Sequence, residues 1–276
     1  MENRTDLAVE SFESKEKTKI DGVEVNESNG ITEVRVINEK GASAIGKPIG
    51  TYITCCVESF VTDNDIFDGR LNKISEILNS LLPENISSVL VAGIGNLDIT
   101  ADALGPMTNN YVLATRHLVE GDNKSDYFSD FFSVCGVSTG VLGDTGIESA
   151  EIIKGVVKET NPSCVVVVDA LAASSPDRLG TTVQFSDVGI SPGSGVGNHR
   201  YEISQKTLGV PVISIGIPTV VSTAVISNSV SRENTMFVTP REIDRVIEHG
   251  AKLIGMAINV CFQKNIDPRD IYSLVG

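Results

Sequence analysis

Two runs of apolar residues, each followed by the tripeptide Asp-Ala-Leu, constrain the fold of this chain more than any other feature. Val89–Ala92 precedes Asp102 in VLVAGIGNLDITADALGP, and Val165–Val168 leads directly into Asp169 in CVVVVDALAA. An apolar run of about four to six residues is typical of a strand buried on both faces, as in sheets covered by helices on both sides. Loops that leave the carboxyl ends of such strands line the crevice of an α/β sheet. The sequence therefore predicts that Asp102 and Asp169 face one cleft.

A pair of carboxylates in one cleft can divide the roles of acid and base. Like charges held close together push the two pKa values apart, so that one carboxyl keeps its proton while the other is ionised. Asp102 and Asp169 are therefore candidate catalytic residues. The alternative is that each aspartate only caps a helix or a turn, which is a common role of aspartate after a strand.

The alternation of predicted elements indicates an α/β fold. We expect a three-layer domain with a largely parallel central sheet, phosphorylase- or hydrolase-like, with an N-terminal β-rich arm in residues 1–48. Apolar residues on one helical face from Leu71 to Leu82 predict a helix that Pro83 ends. Further predicted strands are Ile31–Ile37, Tyr52–Val57, Thr181–Phe185 and Val212–Ile217. Three further helices are predicted. One spans Pro106 to Leu118, one starts at the capping pair Thr145 and Glu148, and one starts at Thr239–Glu242.

Composition narrows the classes of function. The 276 residues carry a formal net charge of −14, which opposes direct binding to the phosphate backbone of a nucleic acid. No stretch reaches the roughly 18 uninterrupted apolar residues of a membrane span, so we expect a cytoplasmic protein with no membrane partner. The five cysteines have no CxxC spacing and are expected to be reduced, mostly buried thiols.

Other motifs favour neither a nucleotide site nor a metal site. Gly93 and Gly95 follow a strand, but Asp98 stands at the third glycine position of a dinucleotide-binding motif. The chain has no GxSxG elbow for Ser–His–Asp chemistry and no local cluster with the spacing of a metal site, so no cofactor is expected. The three histidines, in three different kinds of segment, are His117, His199 and His249.

Two segments are candidates for contacts with a substrate or an oxyanion. Asn96 follows the strand that leads to Asp102, and Ile190–Arg200 is rich in glycine and serine, so its backbone can approach a ligand closely. The candidate residues in that loop are Gly193, Gly195 and Gly197. The alternative is that Ile190–Arg200 is a plain surface loop.

Six segments of the chain are long, ordered and unusual. They are RTDLAVE (Arg4–Glu10), GIGNLDITADALGP (Gly93–Pro106), TRHL (Thr115–Leu118), VVVVDALAA (Val165–Ala173), PGSGVGNHR (Pro192–Arg200) and EISQKTLGVPVISIGIPTVV (Glu202–Val221). Together they resemble the germination protease of spore-forming Firmicutes. The resemblance implies an endopeptidase of the spore core that starts the degradation of small acid-soluble spore proteins at germination. It also implies a fold similar to that of the hydrogenase-maturation endopeptidases.

The resemblance assigns roles to particular residues. The two proposed catalytic aspartates of the family lie in the DALGP and DALAA motifs, which correspond here to Asp102 and Asp169. The resemblance further implies a self-processing zymogen and a homo-oligomer, with a tetramer as the candidate assembly. RTDLAVE places Asp6 before the apolar Leu7, so residues 1–6 are the candidate propeptide, 7–48 the N-terminal arm and 49–276 the catalytic domain. The polar residues around this bond are expected to be exposed and mobile.

Aspartic-type hydrolysis is the mechanism that the pair predicts, with no metal. Two alternatives stay open. One is a metal-dependent peptidase resembling the hydrogenase-maturation enzymes, with the aspartates as ligands, and the other is a non-catalytic module that binds peptides. The chain departs from the family in two respects: Ser222–Phe237 is much shorter than the corresponding segment of family members, and the sequence before RTDLAVE is shorter as well.

Overall fold

A computed structural model describes most of the chain. The described residues are 5–15, 19–57, 59–62, 65–120, 128, 130–197, 200–223 and 236–276. His199, residues 1–4 of the candidate propeptide and residues 224–235 of the short segment lie outside this description. Over the described residues, no helix combines the length and the apolar character needed to cross a membrane.

One mixed sheet of nine strands organises the described part of the chain. The strands are β1 (Val23–Ser28), β2 (Ile31–Val36), β3 (Gly50–Cys56), β4 (Ser88–Gly93), β5 (Ser133–Ser138), β6 (Cys164–Ala173), β7 (Thr182–Ser186), β8 (Val212–Ser222) and β9 (Phe237–Val238). Their order across the sheet is β1-β2-β3-β7-β8-β6-β4-β5, and β9 pairs with β8.

The helices lie along and against this sheet. They are α1 (Ala8–Glu13), α2 (Glu39–Ile45), α3 (Arg70–Leu81), α4 (Leu104–Asn110), α5 (Arg116–Val119), α6 (Leu142–Thr145), α7 (Ser149–Thr160), α8 (Gln205–Leu208), α9 (Ile243–Phe262) and α10 (Pro268–Val275). The α/β class and the helix that ends before Pro83 are confirmed.

The parallel part of the sheet is narrower than the sequence predicted. β5, β4, β6 and β8 pair in parallel, whereas β1, β2, β3 and β7 pair antiparallel and β7 also joins β8 antiparallel. The N-terminal residues extend the sheet because Asn29 and Gly30 adopt φ values of 51° and 70°, the left-handed conformation that closes a tight hairpin between β1 and β2.

The central strand β6 separates two apolar layers. Val166 and Val168 belong to the cluster that includes residues of α3 and α9, and Val165 and Val167 belong to the cluster that includes residues of α7. All four valines are fully buried, which explains why this strand reads as a continuous apolar run rather than an alternating one. The first half of β6 is thereby buried between two layers of helices.

The prediction of a single helix from Pro106 to Leu118 is wrong. The chain forms α4 and α5 instead, and it leaves the helical path between them because Asn259 of α9 binds the backbone there. The Asn259 side chain donates to the carbonyl of Tyr111 at 2.7 Å and accepts from the N–H of Leu113 at 2.8 Å. A polar group distant in sequence therefore replaces the intrahelical partners of these two residues.

Two predicted helix starts are also displaced. Glu148, not Thr145, is the N-cap of α7, and it forms a capping box with Glu151. Thr145 ends α6. In the C-terminal helix the N-cap is Glu242 rather than Thr239, and its side chain makes no capping hydrogen bond.

Candidate active site

The carboxyl ends of β4 and β6 place both predicted aspartates at one edge of the parallel sheet. The two strands are paired up to Gly93 and Val168, and the N–H of Ile94 donates to the carbonyl of Val168 at 2.9 Å. Asp169 is the next residue of β6. The chain after β4 turns back through a short 3-10 helix that contains Asp102.

Gly95 allows this return. Its φ is 127°, and a Cβ added there would lie 1.8 Å from the backbone oxygen of Asp102. Gly93 serves a similar purpose, because a Cβ there would lie 2.3 Å from the backbone oxygen of Gly105 in α4. These glycines are therefore explained by the close approach of backbone segments.

Asp169 is buried, with 5% of its surface exposed. One carboxylate oxygen accepts from the N–H of Ala170 at 2.9 Å. Burial raises the pKa of Asp169 well above its ordinary value, and the negative charges of Asp102 and Asp6 raise it further. This environment favours a protonated carboxyl.

Asp102 is only half-buried and has a different environment. Burial raises its pKa and the charge of Asp144 adds to the shift, but the N–H of Asn96, which donates to Asp102 Oδ2 at 2.9 Å, opposes it. The two carboxyls thus differ in exposure and in hydrogen bonding. Such a difference lets one member of a pair hold a proton while the other is ionised.

A cavity of about 380 Å³ is lined by four carboxylates, which are Asp102, Asp169, Asp6 and Glu148. The sequence predicted Asp6 as part of a cleavage site but not as a neighbour of the pair. One of its carboxylate oxygens accepts from Ser194 Oγ at 2.6 Å and from the N–H of Gly195 at 2.9 Å, and the other accepts from the N–H of Ala172 at 2.9 Å.

The backbone around the candidate cleavage site is also held firmly. The carbonyl oxygen of Asp6 accepts from Lys47 Nζ and from Gln184 Nε2, both at 3.0 Å. Leu7 and Thr5 are buried. The expectation that this segment is exposed is therefore wrong, because an apolar side chain and a set of backbone hydrogen bonds fix it against the sheet. Cleavage between Asp6 and Leu7 itself stays a prediction.

The side chain of Lys47 joins this segment to the body of the protein. Its ammonium also donates to the carbonyl of Thr5 at 3.0 Å. Burial lowers the pKa of Lys47, and the negative charges of Asp6 and Glu10 oppose that shift. No sequence motif indicated Lys47, because its partners lie about forty residues away in the chain.

The residues predicted to contact a substrate or an oxyanion have different roles in the structure. The N–H of Asn96 is used by Asp102, and its side-chain oxygen accepts from the N–H of Asp98 at 2.7 Å. In the glycine-rich loop, Gly195 touches the carboxylate of Asp6, and Gly193 lines the cavity. Gly197 adopts a φ of 77° and donates its N–H to the loop's own backbone, so it shapes the loop. Whether these residues contact a substrate stays a prediction.

The histidines do not join the aspartates where they are described. His117 is exposed on α5, and His249 Nδ1 lies 2.5 Å from the carbonyl oxygen of Phe60. Over the described ranges, no group of three or more His, Cys, Asp or Glu residues is placed to hold a metal ion. All five cysteines are free, and Cys56 is the exposed one.

Comparison with known proteins decides the family. A family model described as germination protease matches residues 2–232. The chain belongs to the germination protease family. A relative from Clostridium perfringens is 38% identical over 319 aligned residues that cover 97% of each chain. A relative from Clostridium tetani is 37% identical over 327 residues and covers 100% of both chains.

Further comparisons define how this germination protease differs from its relatives. A Geobacillus germination protease is 42% identical and covers 82% of this chain and 65% of its own length. The alignments with the clostridial enzymes are longer than 276 residues, so these relatives contain segments that this chain lacks. A NiFe hydrogenase maturation protease, HycI, from Thermococcus kodakarensis is 19% identical and covers 66% of this chain and 99% of its own, with a TM-score of 0.40. That likeness is too distant to support an argument.

The family assignment has a functional consequence. As a germination protease, this protein is a hydrolase, an endopeptidase of spore germination.

Proposed function

We propose that this germination protease starts the degradation of small acid-soluble spore proteins in the spore core by aspartic-type hydrolysis at Asp102 and Asp169. The observation that carries the proposal is that both carboxyls line one cavity and that burial raises the pKa of Asp169 well above its ordinary value, whereas a backbone N–H opposes the rise in the pKa of Asp102. The net charge of −14 favours substrates that have left the DNA over substrates still bound to it.

We assign roles to the two aspartates from their environments, as part of this proposal. Asp169, buried and beside two other carboxylates, holds the shared proton and donates a hydrogen bond to the scissile carbonyl. Asp102, half-buried and bound to a backbone N–H, is ionised and takes a proton from the attacking water. When the C–N bond breaks, the leaving nitrogen takes up a proton from the pair. One proton then remains on the two carboxyls, as at the start.

We also propose that the chain is a zymogen that cuts itself between Asp6 and Leu7. Support comes from the position of Asp6, which lines the same cavity as the pair, and from two donors on the carbonyl oxygen of the bond to be cut. Donors so placed stabilise the negative charge that develops on that oxygen. The homo-oligomer stays a prediction that a measurement of mass in solution checks.

Digestion of a purified small acid-soluble spore protein, with mass spectrometry of the fragments, tests this function. The chain is first incubated at mildly acidic pH, and parallel reactions contain a chelator. We expect fragments that end in an acidic residue, in equal amount with and without chelator. Intact substrate that is bound but never cut would support the peptide-binding alternative. Activity lost in chelator and restored by one divalent metal would support the metallopeptidase.

A further inference from the structure

The carboxylate of Asp6 sits in a cradle built by Ala172, Ser194 and Gly195. Three donors serve its two oxygens, and two of the three are backbone N–H groups. Hydrogen bonds to a charged acceptor are stronger than those between neutral groups. The cradle therefore selects a carboxylate over the isosteric amide, because the NH₂ group of an amide would point its own hydrogens at the donors of the cradle.

The cradle belongs to parts of the protein that also form the candidate active site. Ala172 lies on β6 beyond Asp169, and Gly193 of the glycine-rich loop lines the same cavity as the aspartate pair. The N–H of Asp6 donates to the carbonyl of Ala172 at 2.9 Å, while the N–H of Ala172 holds the Asp6 side chain. One residue of the strand thus binds both the backbone and the side chain of an acidic residue, as when a peptide adds to the edge of a sheet.

The size of the cradle depends on Gly195. A Cβ at this position would lie 2.4 Å from a carboxylate oxygen of Asp6 and 2.7 Å from Ala172 Cβ. Gly195 does not have a positive φ, so its backbone conformation is also compatible with alanine. The only obstacle to an alanine there is the steric clash of its Cβ. Only a glycine leaves room for the acidic side chain.

The carbonyl of the same acidic residue points at a second set of donors. Lys47 Nζ and Gln184 Nε2 both lie 3.0 Å from the carbonyl oxygen of Asp6. Side chain and carbonyl of one residue are therefore bound separately, which fixes the peptide bond that follows it. This arrangement fits recognition of the residue on the amino side of the bond to be cut.

We infer that Ala172, Ser194 and Gly195 form the subsite for the acidic side chain that precedes the cleaved bond, and that Asp6 occupies it in this structure. The ligand class is a peptide with an aspartate or glutamate before an apolar residue. The inference rests on the proposed function, because it names the specificity of the same site. The glycine-rich loop then acts as a specificity element and not as a plain surface loop.

Paired peptides test the subsite. Each pair differs only in carrying aspartate or asparagine, or glutamate or glutamine, before a leucine. The enzyme is the form that begins at Leu7, released by a protease site introduced before that residue, so that neither the side chain nor the backbone of Asp6 fills the site. Three further variants are made in this background: Gly195→Ala, Ser194→Ala and, as a matched control, Gly155→Ala, whose added Cβ meets nothing within 4 Å.

The readout is the ratio of kcat/KM for the acidic peptide to that for its amide. We expect the form that begins at Leu7 to prefer the acidic peptide by about tenfold or more. Gly195→Ala should abolish the preference, Ser194→Ala should reduce it several-fold, and Gly155→Ala should retain it. An unchanged ratio in both cradle variants would overturn the subsite. If Gly195→Ala fails to fold, as judged by circular dichroism, Ser194→Ala decides.

Binding without catalysis separates this inference from the proposed function. The same peptides, labelled with a fluorophore, are titrated by anisotropy onto the form that begins at Leu7 and also carries Asp169→Asn. Tighter binding of the acidic peptide, lost in Gly195→Ala, supports the subsite even if no variant cuts any peptide, in which case only the proposed function fails. If the protein cuts the peptides but binds the acidic peptide and its amide equally, the proposed function is supported and the subsite is contradicted.

Discussion

At the scale of single residues, the burial of Asp169 has a consequence for stability. Its pKa in the folded protein is raised by burial and by two neighbouring carboxylates, whereas an aspartate in an unfolded chain has a pKa of about 3.9. Between these two values the folded state binds a proton that the unfolded state does not. The contribution of Asp169 to the free energy of unfolding therefore falls as the pH rises through this window.

Asp169→Asn should remove this dependence. We expect the variant to be more stable than the wild type at pH values above the window and to gain less stability as the pH is lowered towards 4. Denaturant titrations at several pH values measure both effects, and the exposed Asp98→Asn is the control that should follow the wild type. Parallel curves for wild type and Asp169→Asn would show that Asp169 is not buried with a raised pKa.

The sequence predicted some site residues and not others for a physical reason. Asp102 and Asp169 each follow an apolar strand, so local pattern was enough to place them at one edge of the sheet. Asp6 and Lys47 reach the same region only through contacts between distant parts of the chain. No local pattern encodes such a contact. The polar composition of the first residues predicted an exposed terminus instead.

At the scale of elements, Asn259 shows how tertiary contacts override local signals. The residues from Pro106 to Leu118 have a helical pattern, but a buried amide from α9 binds Tyr111 and Leu113 and divides the segment into α4 and α5. The strands were easier to predict than this connection, because a continuous apolar run indicates a buried strand without knowledge of distant contacts. The displaced helix starts have a similar cause, since Thr145 lies near a second possible cap, Glu148.

Asn259→Ala should be strongly destabilising. The substitution leaves the partly buried N–H of Leu113 and carbonyl of Tyr111 without their partner, which costs about 2 kcal/mol. Denaturant unfolding measures the loss. Asn265→Ala, an exposed asparagine just beyond the same helix, should change the stability by less than about 0.5 kcal/mol. Equal stability of the two variants would contradict the bridging role of Asn259.

At the scale of the whole molecule, the N-terminal segment links distant parts of the sheet. Asp6 binds the end of β6 and the glycine-rich loop, while Gln184 of β7 binds both the carbonyl of Asp6 and the N–H of Ala8. The sequence predicted a hairpin-rich N-terminal region but not that it would reach the cavity. A buried segment of this kind is cut within its own molecule more easily than by a second molecule.

Self-processing should therefore produce a new N-terminus at Leu7 at a rate independent of protein concentration. Mildly acidic pH should accelerate it, because Asp169 must hold a proton and loses it as the pH rises through its pKa. N-terminal sequencing over time, at several protein concentrations, measures the rate. Met1 retained in both wild type and Asp169→Asn after acid incubation would mean that this chain does not process itself.

The central claim is that Asp102 and Asp169 together carry out peptide hydrolysis. Its most direct test is kcat/KM for one spore-protein substrate with the wild type, Asp102→Asn and Asp169→Asn, each shown by circular dichroism to be folded. Each substitution keeps the size of the side chain and removes its acid–base function, so each should lower kcat/KM by roughly 10²-fold to 10⁴-fold. Cleavage by either folded variant at the wild-type rate would contradict the account.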